Sequence, residues 1–157
     1  MAKSSAKSVN TNRTIIQFFE WYVEGNHVLW NKCKAQASRL AEFGITDVWL
    51  PPAYKAGFIE DNVGYAVYDM YDLGEFEQKG LLKTKYGSRQ EYLDCIEAFH
   101  DANIRVLADV VLNHKVGADD FEDVKAFKVN PNNRNDNWSD AYTISAATVF
   151  IADITGP

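Results

Sequence analysis

Three short, nearly uninterrupted apolar runs, separated by helical patterns, restrict the folds open to this chain more than any other feature. The runs cover residues 14–19, 46–50 and 105–111 and are rich in the β-branched and aromatic residues of buried strands. Strands without a polar face are typical of a parallel sheet whose crossovers are helices. This pattern leaves two architectures open: a doubly wound open sheet and part of a closed (β/α)8 barrel.

Two helices are predicted between these strands. Apolar residues recur at the spacing of one helix face along residues 30–41, and Gly44 stands where a C-terminal cap belongs. The second helix begins at a capping box formed by Ser88 and Glu91, and apolar residues at helical spacing follow it. The chain therefore alternates strand, helix, strand, helix and strand, which is the order that a parallel α/β fold requires.

A long connection joins the second strand to the second helix. It has about 35 residues, far more than the usual two to six of such connections, so it is expected to carry function. In a (β/α)8 barrel, connections of this kind lie at the C-terminal rim, where the active site is built. It mixes aromatic rings with carboxylates, which suits sugar rings, although composition alone favours a self-packed loop with its own small aromatic core. These residues are Tyr54, Phe58, Asp61, Tyr65, Tyr68, Asp69, Tyr71, Asp72, Glu75 and Phe76.

Polar side chains close the third strand. Asp109, Asn113 and His114 follow where a buried strand reaches the rim, and a charged group there needs a partner. One interpretation pairs Asp109 with an arginine in the core and leaves Asn113 as a turn former and His114 exposed. The other places His114 on a substrate hydroxyl and the amide oxygen of Asn113 on Ca²⁺, which prefers oxygen ligands. The residues alone leave both interpretations open.

Composition narrows the class of partner. The 157 residues include 16 Lys and Arg against 22 Asp and Glu, a net charge of −6, which argues against a nucleic acid or an anionic membrane and favours a neutral substrate. Residues 1–12 lack the apolar core of a signal peptide and are expected to be disordered, and no stretch is apolar enough to span a membrane. Cys33 and Cys95 fall on the apolar helix faces, where buried free thiols are expected in a cytoplasmic protein.

Six motifs in a fixed order resemble the bacterial liquefying and intracellular α-amylases of glycoside hydrolase family 13. The similarity runs from about residue 14 to residue 134, and residues 135–157 match less well. A fingerprint of several motifs in order is far more specific than any one of them. The motifs are 17–22 (QFFEWY), 44–55 (GITDVWLPPAYK), 64–69 (GYAVYD), 71–76 (YDLGEF), 83–87 (KTKYG) and 108–119 (ADVVLNHKVGAD).

The resemblance implies a role for each matching residue. Tyr65 would stack on the sugar at the cleavage subsite, His114 would bond its hydroxyls, and Gln17 would line the same pocket. Trp21 would contribute to a neighbouring glucose subsite. Asp109 would be the buried carboxylate that organises the floor of the site.

The resemblance also implies the fold class and its domains. The fold would be α/β, with residues 13–114 forming the first part of a (β/α)8 TIM barrel of about three βα units. Residues 115–157 would begin an inserted, calcium-binding B domain. Asn113 would be one ligand of that calcium ion, with most other ligands expected beyond residue 157.

The activity implied is retaining hydrolysis of α-1,4-glucosidic bonds in starch, glycogen or maltooligosaccharides, which needs two carboxyl groups about 5–5.5 Å apart. In the family these groups come from later strands, so no catalytic residue is expected here and the chain is interpreted as a truncated N-terminal part. The alternative is a non-catalytic glucan-binding module, or one whose barrel a complementary chain completes. A dinucleotide-binding sheet is excluded because residues 17–22 replace its glycine-rich turn.

Overall fold

A computed structural model describes residues 12–58 and 63–151, so the expected disordered segment lies, except for Asn12, outside the described residues, as does Asp61. No helix in the described ranges is long and apolar enough to cross a membrane. In chain order the elements are β1 (Ile15–Gln17), α1 (Leu29–Glu42), β2 (Asp47–Leu50), β3 (Lys55–Ala56), β4 (Val67–Asp69), α2 (Arg89–Asp101), β5 (Arg105–Ala108), β6 (Asp120–Ala126), β7 (Val129–Asn130), β8 (Asn133–Asn137) and β9 (Tyr142–Val149).

Strands β1, β2 and β5 form a parallel sheet in that order, which confirms the predicted parallel arrangement. Each strand lies beside its neighbour in the chain, joined by one helix. The third strand was predicted to continue to residue 111, but β5 ends at Ala108. Beyond it, the Val111 N–H donates to the Tyr54 hydroxyl in the long connection.

Both helices cover the same face of the sheet. Trp30 and Cys33 of α1 and Cys95 and Phe99 of α2 pack with Val48 of β2 into one buried cluster. Burial of such large apolar side chains, at about 25 cal/mol per Å², is the main force holding the helices on the sheet. The two cysteines are buried and free, as predicted.

The opposite face of the sheet is not covered by any helix in the described residues. Its side chains lie in register across the strands, with Ile15, Asp47 and Arg105 in one layer. The next layer holds Gln17, Trp49 and Leu107. Because parallel sheets normally have both faces covered, and layered side chains fill the interior of a (β/α)8 barrel, this is the face expected to line a barrel.

The helix ends follow the predicted caps. Helix α1 ends in a Schellman motif, in which Gly44 (φ +79°) donates to the Ala41 carbonyl at 2.9 Å and Ile45 donates to that of Leu40 at 3.1 Å. At α2 the capping box is complete, since Ser88 and Glu91 each accept from the other's backbone N–H. The end of α1 and the start of α2 are therefore predictable from their capping residues in the sequence.

The long connection is built around a buried ion pair. Lys55 Nζ lies 3.2 Å from Asp72 Oδ2, and both side chains are fully buried. Asp72 Oδ1 also accepts the N–H groups of Gly74 and Glu75 at 2.7 and 3.0 Å. Burial lowers the pKa of Lys55, although the charge of Asp72 opposes that shift. Strands β3 and β4 pair beside this ion pair as an antiparallel hairpin. The described part of the connection therefore has a defined structure built from the ion pair and this hairpin.

A hairpin arm, residues 119–151, follows the sheet. Strands β6 and β9 pair antiparallel, and the shorter pair β7–β8 extends them towards the tip. Sequence reasoning predicted strand character only from residue 143 to 154, of which 152–154 lie outside the described residues. It missed β6 and β8 because nearly all their side chains are exposed, so no alternating apolar pattern marks them.

The base of the arm is fastened to the long connection. Asp119 forms an ion pair with Lys79 and accepts a hydrogen bond of 2.6 Å from the Tyr68 hydroxyl. The backbone N–H of Ile151 donates to the same carboxylate at 2.8 Å. These interactions hold the pKa of Asp119 down at about 2, led by the hydrogen bond from Lys79.

A second charged group ties the sheet together at its N-terminal edge. The buried carboxylate of Asp47 binds Arg13 before β1 and Arg105 of β5, and it also accepts from the Thr46 hydroxyl at 2.7 Å. The hydrogen bond from Arg13 is the largest cause that lowers its pKa well below the usual range.

We expect Asp47→Asn to lower the free energy of unfolding by about 1 kcal/mol, a modest value because both arginines are partly exposed to water. A folded-state pKa below the unfolded value of about 3.9 makes this contribution complete above pH ~4 and removes it as the pH falls further. Urea unfolding at pH 7 and pH 3 measures both effects. The exposed Asp101→Asn is the control, and equal losses at both pH values would contradict the expectation.

Candidate functional site

Asp109 lies at the C-terminal edge of the sheet, immediately after β5, on the face without helices. Its Oδ2 atom accepts a hydrogen bond of 2.6 Å from the Tyr65 hydroxyl and one of 3.2 Å from Trp49 Nε1. The interpretation that paired Asp109 with a core arginine is wrong, because Arg105 binds Asp47 at the opposite edge. The carboxylate instead joins the end of β2, the long connection and the end of β5.

Tyr65 is half-buried in this contact and keeps its proton. Burial is the main cause that raises its pKa to about 12, and the hydrogen bond to Asp109 adds to it. The hydroxyl therefore acts as a donor to the carboxylate at neutral pH. The indole of Trp21, which is 67% exposed, lies nearly parallel to the Tyr65 ring, with 12° between planes and 6.5 Å between centroids.

His114 meets the backbone of the same tyrosine. Its Nε2 atom lies 2.8 Å from the Tyr65 carbonyl oxygen, which can only accept, so Nε2 carries the proton. The Asn113 amide nitrogen lies 3.3 Å from His114 Nδ1, which suits a nitrogen that accepts. The contact with the carbonyl oxygen thus places a proton on Nε2.

A close backbone approach sets the position of His114. A Cβ atom on Gly57 would lie 2.4 Å from the Val116 carbonyl oxygen, so only glycine allows the two segments to cross here. Beside the crossing, the Val116 N–H donates to the Val67 carbonyl at 2.7 Å. The segment that follows His114 is thus laid onto the β3–β4 hairpin.

Two residues that position the site have no such role in the sequence-based predictions, which place Trp49 in the second strand and Tyr54 among the aromatic rings of the long connection. Trp49 supplies its indole N–H to Asp109, and the buried Tyr54 bonds through its hydroxyl to the backbone N–H of Val111. A buried tyrosine or tryptophan needs a partner for its polar atom, which is the signal that could have marked both residues. The identity of the partner, about 60 residues away, could not be read from that signal.

Gln17 and Asn113, the remaining predicted residues, have no hydrogen bond to Asp109 or Tyr65 in the described part of the chain. Gln17 is at the end of β1, in the layer of Trp49, and its amide donates to the Phe19 carbonyl at 2.9 Å. Asn113 is exposed beside His114. Within residues 12–58 and 63–151 no group of three His, Cys, Asp or Glu side chains is placed to hold a metal ion. Ca²⁺ takes six to eight oxygen ligands, and Asn113 is the one ligand that the sequence predicts in this chain.

The histidine assignment can be tested with an internal control. Long-range ¹H–¹⁵N spectra should show His114 protonated on Nε2 and His27 protonated on Nδ1. His27 Nδ1 lies 2.7 Å from the Thr84 carbonyl oxygen, which requires the opposite tautomer. The same tautomer in both rings would contradict the geometry.

Comparisons with known proteins identify the family. The family described as alpha amylase, catalytic domain, matches residues 35–149. The chain is 52% identical to an alpha-amylase of Geobacillus stearothermophilus over 88% of its length and 25% of that protein. It is 48% identical to an alpha-amylase of Bacillus licheniformis over 94% of its length and 28% of that protein. The cytoplasmic alpha-amylase of Escherichia coli is 45% identical over 78% of the chain and 25% of that protein.

Solved structures give the same fold. A truncated alternansucrase from Leuconostoc mesenteroides superposes with a TM-score of 0.67 at 25% identity, covering 84% of this chain and 13% of that one. The chain spans about a quarter of the length of the curated relatives it matches. The sheet of β1, β2 and β5 with its two helices is thus part of a TIM barrel, and the chain belongs to the alpha-amylase catalytic-domain family.

Proposed function

We propose that this chain forms one side of the substrate cleft of a retaining glycoside hydrolase that cleaves α-1,4-glucosidic bonds in starch, glycogen or maltooligosaccharides. The observation that carries the proposal is the contact of Tyr65 and Trp49 with Asp109 at the C-terminal edge of the sheet. This is the edge at which barrel enzymes of this type bind their ligands. Family membership supports the choice of an α-glucan.

The rim cluster, defined here as Trp21, Trp49, Tyr65, Asp109 and His114, has the chemistry that sugars require. The Tyr65 and Trp21 rings offer flat apolar surface for the C–H faces of glucose. The backbone of Tyr65 is held by His114 and its hydroxyl by Asp109, so the ring is fixed before substrate arrives. Such preorganisation reduces the entropy lost on binding.

Within the rim cluster Asp109 is a positioning residue. Retaining hydrolysis uses one carboxylate to attack the anomeric carbon and a second to protonate the leaving oxygen, about 5–5.5 Å apart. The cluster contains one carboxylate, and its Oδ2 atom is already bound by two donors. We therefore assign the nucleophile and the general acid to none of the described residues.

A second function is favoured by the open edges of the sheet. Strand β1 and strand β5 each pair on one side only, within the described residues. Along β1 runs an apolar groove of about 420 Å³ that includes Phe18 and Phe19. Unpaired edges with apolar surface associate readily with further strands. A glucan-binding module that a complementary chain completes is the alternative that this observation supports.

Calcium and cellular location remain predictions from the sequence. An oxygen-rich calcium site would need ligands besides Asn113, and no step proposed here depends on the ion. A cytoplasmic location is proposed because the buried cysteines Cys33 and Cys95 are free thiols. One relative is named a cytoplasmic alpha-amylase.

We expect Tyr65→Ala to weaken maltoheptaose binding about tenfold, because the variant loses a stacking surface worth roughly 1–3 kcal/mol. Isothermal calorimetry on the 157-residue chain measures the change. Tyr71→Ala is the matched control, since Tyr71 lies in the same connection, is 83% exposed and is outside the rim cluster. Equal affinities of the two variants would contradict the role of Tyr65.

The same 157-residue chain should bind maltoheptaose without cleaving it. The physical reason is that one carboxylate with two bound donors cannot perform both roles in the retaining mechanism. Reducing-sugar release from starch over several hours is the measurement. Turnover that survives Asp109→Asn would mean that a carboxylate pair lies elsewhere in the chain.

A further inference from the structure

A pocket of about 620 Å³ lies near the tip of the hairpin arm, and neither the motifs nor the rim cluster accounts for it. It shares no residue with the rim cluster. In the described residues the strands of the arm contact only one another among the named elements, so the pocket stands apart from the sheet. Its lining residues are Phe127, Asn137, Trp138, Ser139, Asp140 and Ala141.

Two large aromatic side chains are exposed in this pocket. Trp138 is 61% exposed and Phe127 is 50% exposed, although β8 beside them consists of Asn, Arg and Asp residues only. Grouped apolar surface on a polar element marks an interaction site more often than scattered exposure does. The pocket therefore presents ring surface to solvent beside an otherwise polar strand.

The backbone around the tryptophan is fixed. The Trp138 N–H donates to the Lys128 carbonyl at 2.7 Å, and the Lys128 N–H donates to Ser139 Oγ at 3.0 Å. These two bonds join residues 138 and 139 to Lys128 on the facing segment of the arm. A ligand would thus meet a surface that is largely formed in advance, which lowers the entropic cost of binding.

The lining chemistry selects a neutral, hydroxyl-rich ligand. Asn137 and Asp140 are exposed beside the rings and supply an amide and a carboxylate, which together donate to and accept from hydroxyl groups. The lining includes Asp140 and no Lys or Arg, which disfavours phosphates and nucleic acids. Aromatic faces with a few polar groups at their margin fit sugar rings.

We propose that the arm-tip pocket is a second α-glucan-binding site, separate from the rim cluster, with Trp138 as its main stacking surface. The choice of an α-glucan rests on the proposed function, whereas the choice of a neutral sugar rests on the pocket itself. A glucan bound there would contact none of the residues that form the rim cluster.

The test is a titration of the 157-residue chain with maltoheptaose, followed by the ¹H–¹⁵N resonances of the tryptophan indoles. Trp→Phe variants assign the four signals, and Trp30, which is fully buried, serves as the reference that should not move. We expect Trp138 to shift in wild type and in Tyr65→Ala. Trp138→Ala should weaken maltoheptaose binding at the arm-tip pocket about tenfold, measured from the backbone amide signal of Ser139. Trp138→Phe should weaken this binding less.

Tyr142→Ala is the matched control on the arm, since Tyr142 is a partly exposed aromatic of β9 outside the pocket. A Trp138 signal that stays fixed while Trp21 shifts overturns the second site and leaves the proposed function standing. The Trp138 signal could instead shift while the Trp21 signal stays fixed and Tyr65→Ala leaves the affinity unchanged. That result supports the second site and counts against glucan binding at the rim cluster. If Trp138→Ala disturbs the amide signals of β6 and β9, the substitution has altered the arm itself. In that case the titrations of wild type and Trp138→Phe decide whether the second site exists.

Discussion

The buried ion pair of Lys55 and Asp72 organises the connection on which the rest of the site depends. Burying two charges is costly unless their remaining hydrogen-bonding groups are satisfied. Here the Lys55 ammonium also meets the carbonyl oxygens of Phe76, Leu81 and Leu82 at 2.7–3.0 Å. The pair thereby fixes the course of the chain between β2 and α2, and Tyr65 takes its place within that course.

The N-terminal and C-terminal edges of the sheet have different roles. At the N-terminal edge, Asp47 forms ion pairs with two arginines and so links the residue before β1 to β5. At the C-terminal edge, Asp109 meets neutral donors and leaves aromatic surface beside it. Both carboxylates lie on the face without helices, but at opposite ends of the strands. This matches the division of barrel enzymes into a stabilising N-terminal end and a functional C-terminal end.

Local signals predicted the framework, and tertiary contacts decided the site. Gly44 and the pair Ser88 and Glu91 could be read directly, because caps depend on residues only a few positions apart. The family motifs named Tyr65 and His114, but the bond between them joins residues 49 positions apart and has no local signature. Strands β6 and β8 of the arm were missed because solvated strands lack the apolar alternation that marks other strands.

The fastening of the arm at Asp119 also orders the steps of folding. The hairpin itself joins residues within about 30 positions and can form in microseconds. By contrast, Asp119 reaches Lys79 and Tyr68 across 40 and 51 positions, so these contacts close large loops and form late. The arm is therefore expected to exist as a free hairpin before it docks, and His114, five residues before Asp119, would reach its final place only in that last step.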